Sequence, residues 1–387
     1  MDGNKPYFHC QDLKTQGLSK VCFALTAPIN ADKFCPEYKI YLRKACRKMD
    51  RDQLQGILPA FGIREIAALE PLLHVDDLHQ APPQYKLVAR LRFRQSPTLI
   101  LRLLKEERSP AAYVQEQGEL AAFFVERGIP TVAPMKVLDG RRYANVPYQG
   151  HTLLATLERD LGPEMTSASL ETCALAGQLL GRMHAVVLEN DVHMQHGKAI
   201  FDFAAGSDVD GGPMLRDVLQ QHGRIAEAQE LYQLYQNRRE ELLTHWPDLP
   251  HGAVQGDLSI NNLTQDSTGR LFVFDYNCAG ECALISDAVL QGMLFAREMD
   301  YPQEETHVTS RQRFSAFFDA YQQQRPLCAA EAALWPSLYQ VMDAFWFMRV
   351  RYGADSLEMQ LAERPDMPLD AWMEDVQARL HDVSIVV

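Results

Sequence analysis

The stretch that most constrains how this chain can fold runs from Gln255 to Asn277, where two short polar turns sit among apolar strands. The first turn reads Gln255-Gly256-Asp257-Leu258-Ser259-Ile260-Asn261-Asn262, and the strand Leu271-Phe272-Val273-Phe274 then leads into Asp275-Tyr276-Asn277. Asp257 and Asn262 are five apart on one tight loop, so both side chains can face one point. Neither a helix face nor an extended strand guarantees that at this separation. Asp275 closes a strand, which leaves its carboxylate rigidly held yet exposed. Asx-rich turns are common in their own right, so the reading rests on the three groups as a set. Phosphoryl transfer from a nucleotide uses a carboxylate to orient and deprotonate the acceptor hydroxyl, an amide oxygen to hold a metal, and a second carboxylate to bridge metals and phosphates. Asp257, Asn262 and Asp275 fit those tasks in that order.

Together these residues resemble the catalytic loop and metal-binding turn of the aminoglycoside phosphotransferase and choline kinase family. Its pattern reads His-Gly-Asp, four residues, Asn, an apolar strand and Asp; Gln255 stands at the histidine position. The resemblance implies a protein-kinase-like α+β fold in two lobes, with a small antiparallel-sheet N-lobe and a mostly helical C-lobe. It also implies ATP or GTP as donor, Mg2+ as cofactor and a hydroxyl of a small molecule as acceptor: an aminoglycoside, amino alcohol, sugar or hydroxy amino acid. Asp257 is then the catalytic base, and Asn262 and Asp275 are the metal ligands. Asp287, at the end of Ala279-Gly280-Glu281-Cys282-Ala283-Leu284-Ile285-Ser286-Asp287, resembles the family's aspartate that opens a helix and braces the active-site loops. Gln255 leaves a second reading, a nucleotide-binding pseudokinase serving as a regulatory or binding module. No Ala-Pro-Glu close of an activation segment follows Asp275, which disfavours a kinase acting on protein hydroxyls.

Upstream, Tyr85 to Ala89 leads into the alternation Arg90-Leu91-Arg92-Phe93-Arg94, Gln95-Ser96-Pro97 supplies turn chemistry, and Leu99 to Leu104 continues as a second strand of a hairpin. By resemblance Arg102 contacts the nucleotide phosphates, held there by a glutamate of the following helix, Ala111 to Arg127. Glu119 is assigned that role, with Glu116 as the alternative. Gln149-Gly150 is read as the hinge between lobes, so that backbone around Pro147, Tyr148 and Gly150 meets the adenine edge. The segment His74 to Pro83, where a phosphate-cradling loop is expected, has no glycine and carries Asp76 and Asp77, which repel a triphosphate.

Helical periodicity marks Leu170 to Val187, Ala226 to Leu243, and Pro336 to Tyr352 with proline at its first position. His184 is read as a packing or helix-dipole partner, and Trp346, Arg349 and Arg351 as residues within reach of an acceptor. The chain of 387 residues has a formal charge of -13, against a nucleic-acid partner. Eight cysteines show no paired metal-ligand spacing. With no apolar signal core and no spanning run, a cytoplasmic protein without a membrane partner is expected. Residues 1–48 hold nine Lys or Arg against four Asp or Glu, and half the cysteines. They are read as an N-terminal extension, 49–148 as the nucleotide-binding N-lobe, and 149–387 as the helical C-lobe with catalytic loop and acceptor site.

Overall fold

In the segment Gln84–Arg92, Tyr85, Leu87, Ala89 and Leu91 are all buried, a period of two that places them on one face of a strand. In the computed structural model, which describes residues 56–382 apart from 107–108, 198, 200–201, 207–209, 298–304, 306 and 354, this strand is β2 of a five-stranded sheet. β1 (Ala68–Asp77), β2, β3 (Leu99–Lys105), β4 (Ala144–Tyr148) and β5 (His151–Arg159) pair antiparallel in the order β1-β2-β3-β5-β4. The apolar face, with Leu101, Leu103, Leu153, Ala155 and Leu157, packs on Leu58, Phe61 and Ile66. The extension and residues 49–55 lie outside the described residues; Leu58–Phe61 forms a 3-10 turn.

The sheet continues past the boundary drawn at 148. Gln149 and Gly150, with φ of 48° and 78°, form the tight turn joining β4 to β5. Positive φ at both central residues suits the twist of a hairpin, which is why this dipeptide turns a strand back on itself. The chain leaves the sheet after Arg159: the Asp160 N–H still donates to Thr98 O at 3.0 Å, whereas the Met165 N–H donates to Leu263 O in the second lobe at 2.9 Å. The crossing is therefore the segment 160–165.

The second lobe is mostly helical: α1 (Ala111–Glu126) is followed after the sheet by α2 (Leu170–Glu189), α3 (Gly211–Gln221), α4 (Ile225–Leu243), α5 (Leu284–Arg297), α6 (Ser310–Gln324), α7 (Ala329–Ala344), α8 (Leu357–Glu363) and α9 (Asp370–Leu380). Two small sheets, β6 (His251–Val254) with β9 (Gly280–Ala283) and β7 (Leu263–Gln265) with β8 (Leu271–Val273), carry the polar turns. The helix expected to start at Pro336 begins seven residues earlier, because Cys328 and Glu331 form its capping box and leave Pro336 inside. Among the described residues no helix is long and apolar enough to cross a membrane.

Helices α2 and α6 approach closely because Gly177 faces the backbone of α6: a Cβ there would lie 2.0 Å from Phe317 O. Gly177→Ala should therefore lower stability by about 1–3 kcal/mol, the usual cost of overpacking a rigid contact, read as a lower midpoint in urea unfolding. An unchanged midpoint would show that the helices separate at no cost.

Candidate active site

Strand β6 delivers Gln255 into the interior, where its amide ties two turns together. Its Nε2 donates to Asp275 O at 2.7 Å, and its Oε1 accepts from the Asp257 N–H at 3.0 Å. Gly256 follows with φ of 81°, and a Cβ on it would lie 2.3 Å from Cys278 O. Only glycine lets the Asp257 loop lie this close to the backbone after Asp275. Gln255 thus supports the loop from the histidine position.

Asp257 and Asn262 meet as their spacing predicts. A 3-10 turn at Ile260–Asn262 brings the Asn262 amide back, and its Nδ2 donates to the Asp257 main-chain oxygen and to Asp257 Oδ2, each at 2.9 Å, and to Ser259 Oγ at 3.3 Å. With the N–H groups spent on the loop, the amide oxygen is the group left to face a cation. Burial pushes the Asp257 carboxyl up to about 6, against hydrogen bonds from Ser259 and Asn262 that lower it.

Asp275 ends the strand with φ of 61°, a conformation few non-glycine residues adopt outside turns and functional sites. Its Oδ2 accepts from Arg102 Nη1 at 2.8 Å, and the Asn277 N–H donates to its Oδ1 at 3.3 Å. Burial alone would raise this carboxyl, but the positive charges of Arg102 and Lys86 bring it below the usual carboxylate value. Arg102 is one residue out of phase with the buried Leu101 and Leu103, so it projects from the opposite face of the sheet toward this turn. A carboxylate and an amide oxygen on adjacent turns form the hard-oxygen donor set that suits Mg2+, which commonly takes one or two carboxylates together with substrate phosphates.

The glutamate assigned to Arg102 lies elsewhere. Glu119 is half exposed and pairs with Arg142 at 3.3 Å, while Glu116 accepts from the backbone and ring of His196. The reason is helical phase: α1 turns Tyr113, Gln117, Leu120 and Phe124 inward, and residues 116 and 119 fall beside that face. At the inward position Gln117 donates from Nε2 to Asn277 O at 3.1 Å. The glutamate that reaches Arg102, beside Asp275, is Glu158 of β5, 3.2 Å from Nη2, and sequence reasoning missed it. Pro147, Tyr148 and Gly150 also fall away from their expected place. They belong to the β4–β5 hairpin, at the opposite end of a nine-residue strand from the crossing segment, or about 26 Å along it.

Behind the loop runs a buried polar chain. Gln291 accepts from the Leu258 N–H at 2.8 Å and donates to Asp287 Oδ1 at 3.0 Å; Asp287 Oδ2 contacts His184 Nε2 at 3.1 Å; and His184 Nδ1 contacts Tyr321 Oη at 3.0 Å. Arg325 links Tyr321, at 2.8 Å, to Glu331, at 2.7 Å. Burial lowers the His184 pKa, favouring the neutral ring. His184 and Asp287 therefore act as packing partner and brace. Of the residues placed near an acceptor, Arg349 pairs with Asp375 and Arg351 with Glu358, whereas Trp346 lines a cleft with Asp202, Phe203, Asp210, Tyr235 and Phe345.

The chain has relatives among known proteins and is similar in fold to solved structures. A homoserine kinase of Bradyrhizobium sp. (strain BTAi1) is 27% identical over 228 residues, covering 57% of this chain and 62% of the relative. One of Janthinobacterium sp. (strain Marseille) is 24% identical over 232 residues, covering 60% and 67%. The chain thus spans about three-fifths of the length of the first of these. In fold it is similar to the amicoumacin kinase hAmiN in complex with AMP-PNP, Ca2+ and Ami, with a TM-score of 0.55 at 14% identity over 92% of this chain and 96% of that one. It is likewise similar to an aminoglycoside phosphotransferase from Alicyclobacillus acidocaldarius, with a TM-score of 0.52 at 13% identity over 86% and 95%. Residues 84–338 match the model of the phosphotransferase enzyme family, a match that spans strands β2 to β5, both polar turns and the bracing helices, and the chain belongs to that family.

Proposed function

We propose that the chain is a kinase that moves the γ-phosphoryl group of a nucleoside triphosphate, ATP or GTP, to a hydroxyl of a small molecule. The observation that carries this reading is the convergence of Asp257, Asn262, Asp275 and Arg102, with Asn262 Nδ2 2.9 Å from Asp257 Oδ2 and Arg102 Nη1 2.8 Å from Asp275 Oδ2. In it, Asp257 orients the acceptor hydroxyl and takes its proton. Arg102 binds the phosphates, and the backbone of the crossing segment 160–165 takes over the adenine-edge role first assigned to Pro147, Tyr148 and Gly150. Asn262 and Asp275 would hold Mg2+, which when bound neutralises charge on the phosphates. Gln255, which together with the acidic Asp76 and Asp77 favoured a pseudokinase, is occupied in joining the two turns, as a loop-supporting residue would be.

For the acceptor, the homoserine kinases among the relatives point to a hydroxy amino acid. The test is a phosphate-transfer screen with ATP and GTP against hydroxylated amino acids, amino alcohols, sugars and aminoglycosides. Ester formation with one acceptor class supports the reading; no transfer to any acceptor, with Mg-nucleotide bound, contradicts it.

The Asp257 carboxyl also sets a pH dependence. A base must be ionised, and burial raises this one to about 6. kcat/KM for the acceptor should therefore fall about tenfold per pH unit below that value and level off above it. A pH profile flat down to 4.5 would remove Asp257 from the role of base.

A further inference from the structure

Arg102 has to stay aligned while a polyanion and a divalent cation compete for its surroundings. Among the described residues two carboxylates reach it, Asp275 at 2.8 Å and Glu158 at 3.2 Å from Nη2 and 3.3 Å from Nε. Asp275 is the carboxylate that the proposed function assigns to the metal, so it cannot also serve as a lasting anchor for the guanidinium. Glu158 can. It is buried, with 7% of its surface exposed, on the strand paired directly with β3. Arg102 lies opposite Thr156 in the register, which makes Glu158 its diagonal neighbour on the same face. The helix that would otherwise supply an anchor presents Gln117, whose amide is committed to Asn277 O, and its two glutamates are tied to Arg142 and His196.

We propose that Glu158 is the positioning residue for Arg102, so that the grip on the nucleotide phosphates is set by the pairing of β3 with β5 and not by the placement of helix α1. This rests on the phosphotransferase reading of the site. With Glu158 in place, Arg102 is shared between two carboxylates and Asp275 stays available to a cation. Without the Glu158 charge, the guanidinium falls wholly to Asp275, and that tighter pair opposes divalent-cation binding as well as leaving Arg102 turned from the phosphates. One substitution on β5 therefore weakens two binding events at the same site.

The test measures the affinity of a fluorescent ATP analogue, with and without Mg2+, in the full chain and in Glu158→Gln, Glu158→Asp and Glu119→Gln. Glu158→Gln should weaken Mg-nucleotide binding about tenfold or more, the scale expected when one partner of a buried charge pair is removed, and raise KM for the nucleotide with little change in KM for the acceptor. Glu158→Asp restores part of the loss, and Glu119→Gln leaves binding unchanged. The decisive arm repeats Glu158→Gln in an Arg102→Ala background, where its effect should vanish because the group it acts through is gone. An equal loss in both backgrounds, or a loss in Glu119→Gln matching that in Glu158→Gln, overturns the proposal. An unmutated chain that binds no Mg-nucleotide overturns the phosphotransferase reading, and the proposal with it; binding without coupling overturns the proposal alone.

Discussion

Asp257→Asn should leave nucleotide affinity intact and reduce turnover about 10²- to 10⁴-fold, the usual worth of general-base assistance. The split follows from the geometry. Asp257 is held by Asn262 and Ser259 on one turn, to which the proposal assigns the acceptor, whereas Arg102 and Asp275 pair at the other turn, to which it assigns the metal and the nucleotide phosphates. Asparagine keeps one of the two oxygens that accept from the Asn262 amide and the Ser259 N–H, and the Asn262 bond to the main-chain oxygen of residue 257 is untouched, so the loop keeps two of its three ties. The same substitution should raise stability at pH 8. The folded-state pKa of Asp257, about 6, lies above its unfolded value near 3.8, so the folded protein binds the proton more tightly and loses stability as pH rises between those values. Above pH 6 the full cost remains, up to about 3 kcal/mol for a shift of this size. A buried base that destabilises its own fold is the signature of a residue kept for chemistry. Turnover in Asp257→Asn equal to that of the unmutated chain would contradict the assignment.

Asp275→Asn should fail differently, losing Mg-dependent nucleotide affinity along with turnover. Asparagine tolerates the left-handed conformation that the residue occupies at φ 61°, so the backbone of the turn survives and the loss reports on charge. Two interactions go together: the carboxylate proposed to bridge metal and phosphates, and the partner of Arg102 at 2.8 Å. A drop of at least about tenfold in affinity with Mg2+ present, and little change without it, is the expected pattern. Equal affinity with Mg2+ in both proteins would remove Asp275 from the metal site.

The parts of this site that are local in sequence were legible, and those that depend on strand pairing or helical phase were not. Asp257, Asn262 and Asp275 lie within a span that one loop and one hairpin bring together, so residue type and spacing are enough to read their convergence. Arg102 was assigned by the resemblance of its strand to the family's pattern. Its partner Glu158 is 56 residues away on a strand whose neighbour is decided by sheet order, and nothing in the local pattern reports that order. Glu119 was assigned by resemblance to the family's pattern, with Glu116 as the alternative, but the inward phase of that helix is set by Tyr113, Leu120 and Phe124, which leaves Gln117 facing the turn. A helical-wheel comparison of those three apolar residues would have found Gln117. Gln149-Gly150 carried a true turn signal that was placed in the wrong connection: it closes a hairpin inside the sheet, and the crossing comes after Arg159. Pro336 misled in the same way, since the capping pair Cys328 and Glu331 outweighs a proline tolerated inside the helix.

The most direct test of the account is phosphorus NMR of the chain incubated with Mg-ATP or Mg-GTP and the acceptor class found in the screen, with Asp257→Asn run in parallel. The account predicts a new phosphomonoester resonance growing in step with nucleoside diphosphate in the unmutated protein, and almost none with Asp257→Asn. Diphosphate and inorganic phosphate with no ester for any acceptor, or ester formation at equal rates in both proteins, would contradict it.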